Sequence, residues 1–250
     1  MNIKVNITIF FTIVSLFYSI LLTIAFFSKK RINLRENNIY ASLIITNFIG
    51  IILELFCTIF AGYAIGHLTF YTILNKLFLL YLITWNTIFS FYVFYITLVS
   101  DNKNNKPLKK VFVIIYTIFV LLILLSKIDF EIKNGYVMYS YGPAVTIVDL
   151  FIVLAITAMI ICTIKNYKKV KNKRYLPLYI FLFLGGITGF IQMRYPELLL
   201  ATFMETFITV IMYFTIENPD KKLLEEIHAS KKMADEANEE KSMLIYNMMG

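Results

Sequence analysis

The sequence predicts an all-α polytopic membrane protein, with seven transmembrane helices, N-terminus outside and C-terminus inside, followed by a cytoplasmic coiled-coil helix. Three observations predict it. Of 250 residues 59% are apolar and 16% charged, against roughly 45–50% and about 25% in soluble domains. Apolar runs recur near 5–27, 39–61, 70–98, 111–126, 144–164, 176–192 and 197–216, each approaching the about 20 helical residues that cross a hydrocarbon core of about 30 Å. Basic residues alternate between loops, which orients the spans. Irregular backbone does not face lipid, so the many Ile, Val and Thr residues argue little for strands here.

The first run follows Lys4, and no small-residue cleavage site precedes Lys29, so an uncleaved first span is expected and not a signal peptide. Lys29, Lys30, Arg31 and Arg35 separate it from the second run; Lys103, Lys106, Lys109 and Lys110 follow the third; Lys165, Lys168, Lys169, Lys171, Lys173 and Arg174 follow the fifth. The N-terminus and the remaining loops hold only Lys4, Lys127, Lys133 and Arg194. Lys and Arg concentrate in short cytoplasmic loops. The net charge of +8 therefore reads as orientation signals against anionic headgroups, not as a nucleic-acid surface. A multi-pass protein of the plasma membrane is expected, with lipid as a partner and no nucleic acid. The fourth and sixth runs are short and the third is long.

The largest outer loop, Lys127 to Pro143, holds Tyr136, Tyr139 and Tyr141 beside Gly135 and Gly142. These tyrosines form either an interfacial aromatic belt or a lid. Trp85 and the mid-depth phenylalanines read as packing or lipid-facing groups. Gly185, Gly186 and Gly189 offer small residues for close helix approach in span six. Cys57 and Cys162 both lie in apolar runs and read as small buried hydrophobes, neither disulfide nor zinc ligands. With only His67 and His228, and no phosphate loop or catalytic triad pattern, most hydrolytic and metal chemistry lacks its parts, and no metal site is expected. The last span has no lysine for a retinal Schiff base. No internal repeat suggests a transporter's two halves.

Ionisable groups within spans cost about 2.5–3.5 kcal/mol each on insertion scales and ask for a partner or a wet cavity. Four stand out: Glu54, Lys76, Asp149 and Glu205. At a rise of about 1.5 Å per residue they lie about 7–12 Å below the outer ends of their spans. A shared level with three acids and one base suggests a polar cavity open to the outside, which Asn75 and Gln192 would join. Lys76 would pair with one carboxylate, leaving acids to be protonated, hydrated or matched by an unknown small ligand or ion. The other reading is a self-satisfied network that fixes helix packing.

From Glu217 the composition changes: the last 34 residues carry 8 acids and 5 lysines. This divides the chain into a sensor region, 1–216, and a signalling helix, 217–250. Pro219 suits a first helical turn, and Lys231 with Asp235 and Lys232 with Glu236 are spaced i, i+4. Leu223, Ser230, Ala237 and Leu244 form one row of a heptad, and Ile227, Ala234, Lys241 and Met248 the other. A parallel two-stranded coil and a homodimer are expected.

The stretch Ala234-Asp235-Glu236-Ala237-Asn238-Glu239-Glu240-Lys241-Ser242-Met243-Leu244-Ile245-Tyr246-Asn247-Met248 resembles the linker that opens the dimerisation helix of bacterial sensor histidine kinases, which commonly reads E-A-N-x-A-K-S-x-F-L-x-N-M-S-H-E-I-R-T-P. The resemblance covers about 15 residues, and the seven-helix part resembles such kinases in architecture only. It implies a membrane sensor region whose downstream kinase, with its ATP and Mg, passes phosphate to a response regulator. Carried across, the motif places Gly250 where the phospho-accepting histidine stands, and His228 lies 22 residues earlier; no catalytic residue and no cofactor is expected within this chain. The rival reading is a small multi-pass transporter or permease using its intramembrane carboxylates. A third is a structural membrane protein whose tail recruits a partner.

Overall fold

A computed structural model describes residues 3–28, 35–98, 106–133, 135–166, 175–216, 227, 230–239, 241 and 243. The described membrane region is helical apart from one hairpin. The helices are α1 (Ile3–Phe27), α2 (Arg35–Phe60), α3 (Leu68–Leu98, preceded by a 3₁₀ turn, Ala64–His67), α4 (Lys106–Leu125), α5 (Pro143–Lys165), α6 (Leu176–Arg194) and α7 (Ala201–Ile216). Each falls on one of the seven apolar runs, though α7 leaves out 197–200. Six are long and apolar enough to cross a membrane, and α7, at 16 residues, is shorter.

Threonine is tolerated in these helices because its hydroxyl finds an acceptor inside its own helix. Thr12, Thr58, Thr84, Thr97, Thr157 and Thr206 each donate to the carbonyl four residues back, at 2.6–2.9 Å. The bond leaves no polar group for lipid to accommodate. Helix ends follow local chemistry. Gly142 at φ 101° adopts a conformation open essentially to glycine alone, and Pro143 then opens α5 where a missing N–H costs nothing.

The core is centred on α3. Of its apolar window 61% is buried, against 6% for α4, which places α4 on the rim. α3 packs on α2, α4 and α5, while α7 packs on α1, α2 and α6. Trp85 and Phe89 of α3 stack at 5.2 Å, and Phe181 of α6 closes on Phe89 at 4.8 Å. Trp85 is thus a packing residue. Cys57 and Cys162 are free and buried. Of the three glycines in α6, only Gly185 faces a neighbour, since a Cβ there would lie 3.7 Å from Met204 Sδ of α7; at Gly186 and Gly189 a Cβ would meet open space. The packing role expected of all three therefore holds for Gly185 alone.

An all-α fold is expected to hold no strand, but a hairpin joins α4 and α5: β1 (Asp129–Lys133) and β2 (Tyr136–Tyr141), antiparallel, with an irregularity at Glu131/Ile132. Val137 N–H donates to Ala61 O at 3.2 Å, Tyr136 Oη to Thr58 O at 2.9 Å, and Ala144 N–H to Lys127 O at 3.1 Å. The hairpin therefore lies across the ends of α2, α3, α4 and α5. Arg35, Lys106, Lys109, Lys110 and Lys165 all belong to the opposite ends of these helices, so the chain alternates direction and these five basic residues gather away from the hairpin.

In the tail, 230–239 is helical with every residue exposed, and Lys232 meets Glu236 at 3.7 Å as its spacing predicts. Of the expected heptad seam, Ile227, Ser230, Ala234, Ala237 and Lys241 are helical and exposed; Leu223, Leu244 and Met248 lie outside the described residues.

Candidate functional site

Beneath the hairpin is a cavity of about 50 Å³, lined by Thr8 of α1, Cys57 and Thr58 of α2, Tyr71 and Asn75 of α3, Tyr136 to Ser140 of β2, and Glu197 before α7, among others. Room of that size with several polar groups suits a few waters. Tyr136 roofs it and, donating to Thr58 O, sits with its hydroxyl held above the usual phenol range by burial. Tyr139 also lines it, while Tyr141 is exposed. Part of the tyrosine set thus covers the cavity.

From this cavity a column of buried polar groups descends between α1, α2, α3 and α7. Glu54 lies one turn below Thr58. It is 1% exposed, and its Oε1 accepts from Thr12 Oγ1 at 2.6 Å, while its buried Oε2 has no hydrogen-bond partner. Next comes Glu205 of α7, also 1% exposed, accepting from Tyr81 Oη at 2.5 Å and Asn86 Nδ2 at 3.1 Å. Asn47 Nδ2 donates to Thr206 Oγ1 at 3.1 Å in the following layer. Since Thr206 faces Asn47 and the two helices run antiparallel, Glu54 stands about 9 Å nearer the hairpin than Glu205.

Tyr81 reaches Glu205 because α2 lacks a side chain at Gly50: a Cβ there would fall 2.0 Å from the Tyr81 ring. Below, the column ends in aromatic packing. Tyr40 donates to Thr209 O at 2.7 Å and meets Phe26 edge-on at 4.9 Å, beside the Trp85–Phe89 stack.

Among the residues expected at one level, the structure gathers Glu54, Glu205 and Asn75 around this column and leaves three elsewhere. Lys76 does not pair with a carboxylate; it points to α4 and donates to Leu124 O at 2.6 Å, satisfying a carbonyl of a last helical turn, where a cation is favoured. Asp149 is exposed on α5 and makes no hydrogen bond or ion pair among the described residues. Gln192 is half-buried near the end of α6, also without a side-chain hydrogen bond among them. Spacing along a helix sets depth and not direction, which is why six candidates at one depth separate into two groups. Thr12, Tyr81 and Asn86 were invisible to charge-based reading, being polar residues that apolar helices accept readily.

Among the described residues the only buried charge-bearing side chains are Glu54 and Glu205, with no buried Lys, Arg or His. Two carboxyls without a cation are costly to bury ionised, so the column calls for positive charge or neutral carboxyls. Among the described residues no three His, Cys, Asp or Glu side chains gather as a metal site would need. No protein-family profile matches the sequence, and no curated protein or solved structure is significantly similar to it.

Proposed function

We propose that the chain is the membrane sensor region of a two-component sensor histidine kinase, set in the plasma membrane with the hairpin outside and the basic loop ends inside, α7 completing seven spans. A stimulus at the outer column changes how α7 sits against α2 and α3, and the helix beyond 216 relays that change to a downstream kinase and its response regulator. One observation carries the reading. Glu205, the group that Tyr81 and Asn86 hold, belongs to the helix that leads directly into the tail. A ligand shifts such an equilibrium only by its differential affinity for two arrangements, and a buried carboxyl bonded from a neighbouring helix supplies that difference. The dimeric seam runs through Leu223, Ile227, Ser230, Ala234, Ala237, Lys241, Leu244 and Met248.

The transporter reading draws on the same two acids. It needs access from both ends, and the aromatic packing around Tyr40, Phe26, Trp85 and Phe89 stands across the inner end of the column.

The test is disulfide crosslinking of the full chain in membrane vesicles with Ala237→Cys, comparing the parent with Glu205→Gln. A several-fold change in crosslinking yield is expected. Equal yields, or no crosslink at Ala237 or at any other seam position, would refute the dimeric relay.

A further inference from the structure

We propose that Glu54 is a proton-binding site served from the hairpin side, with the cavity beneath β2 as its water-filled entry. The proposal deepens the receptor reading, on which it rests for its physiological meaning, by naming a proton as the stimulus.

The hydrogen count around Glu54 supports it. Thr12 Oγ1 lies 2.6 Å from Glu54 Oε1 and 2.9 Å from Thr8 O. A threonine hydroxyl has one hydrogen, so an ionised Glu54 and the Thr8 carbonyl compete for it. A neutral Glu54 removes the competition: its own O–H donates to Thr12 Oγ1, and Thr12 donates to Thr8 O. The carboxyl then gives its hydrogen at Oε1 and leaves Oε2 as a carbonyl oxygen, whose lack of a donor costs far less than an unpaired charge.

Among the described residues the surroundings supply no cation in place of the proton. Glu205 on α7, Tyr81 on α3 and Cys57 on its own helix are the titratable groups near Glu54. α1 presents Thr12. Tyr71, Tyr136 and Glu197 stand further out around the cavity, and Lys76 is engaged with α4. The path is short. Thr8 and Thr58, both lining the cavity, are each one helical turn from Thr12 and Glu54, so water in the cavity lies within about 6 Å of the carboxyl along the helix axes. The aromatic packing on the other side offers no comparable route.

The experiment is infrared difference spectroscopy on the full chain in right-side-out membrane vesicles, following the C=O stretch of protonated carboxyls while external pH is stepped and internal pH is buffered. The parent should gain a band as external pH falls. Glu54→Gln should lose that band, Glu205→Gln should keep it, and Thr58→Leu, which fills the entry, should slow its appearance about tenfold or more. A band that persists in Glu54→Gln, that follows internal pH, that never changes, or that sodium displaces at fixed pH would overturn the proposal. Should Glu54→Gln fail to fold, the Thr58→Leu kinetics decide. A titrating Glu54 with unchanged tail crosslinking would leave this site standing and remove the relay; a silent Glu54 with a tail that responds to Glu205→Gln would do the reverse.

Discussion

Replacing Gly50 by alanine should destabilise the bundle, against the usual sign for a helix interior. Ordinarily the change gains about 0.5–1 kcal/mol in backbone entropy. Here the new Cβ would fall 2.0 Å from Tyr81 Cε2 and Cζ and 2.4 Å from Cδ2, whereas carbon contacts settle near about 3.5–4.0 Å. The ring must retreat by about 1.5–2 Å, and a hydroxyl 2.5 Å from Glu205 then leaves hydrogen-bonding range. Overpacking costs about 1–3 kcal/mol and the unmade bond to a buried carboxyl about 1–3 kcal/mol, for a net loss of about 1–5 kcal/mol. Denaturant or thermal unfolding of the purified chain in micelles measures it, with Tyr81→Phe and the double variant alongside. The Phe ring keeps the clash and lacks the bond, so the double variant should fall short of the summed singles by about 1–3 kcal/mol. A Gly50→Ala variant as stable as the parent, or strict additivity, would refute the account of how α2, α3 and α7 are joined.

Thr12→Val should lower stability by about 1–3 kcal/mol, because Glu54 Oε1 loses its hydrogen-bond partner at 2.6 Å; unchanged unfolding would mean that the contact contributes nothing. Tyr136→Phe removes the bond to Thr58 O, and a loss of about 1 kcal/mol should speed hydrogen exchange of the Val137 amide about fivefold, read by mass spectrometry of the hairpin peptide. A membrane-impermeant maleimide applied to intact cells should label Lys133→Cys and spare Lys110→Cys; the opposite pattern would invert the assigned orientation. Lys76→Met should fray the end of α4, where Lys76 bonds Leu124 O, with faster exchange near 122–126, and leave the Glu54 and Glu205 contacts unchanged.

Much of the helical architecture was legible because lipid constrains backbone more tightly than water does. The apolar runs fall on α1 to α7 within a few residues; α7 begins four residues after its run starts, while α2 and α4 begin before theirs, with Arg35 and Lys106 already helical. Such long side chains reach out of the apolar layer, so hydropathy ends before the helix does. The hairpin had its own signal, an Asn134–Gly135 dipeptide between two β-prone stretches, which is the commonest short hairpin cue. Burying Glu54 and Glu205 while exposing Asp149 depends on how each helix is rotated in the bundle. That rotation follows from complementary shapes, such as the Tyr81 ring in the Gly50 gap, which hydropathy does not encode.

The hairpin also acts as a staple between parts of the chain remote in sequence. Tyr136 bonds to Thr58 O across 78 residues, and Val137 N–H to Ala61 O, so the stretch entering α5 is fastened to the end of α2. A chain nicked between β1 and β2 would keep that fastening, because both bonds belong to β2.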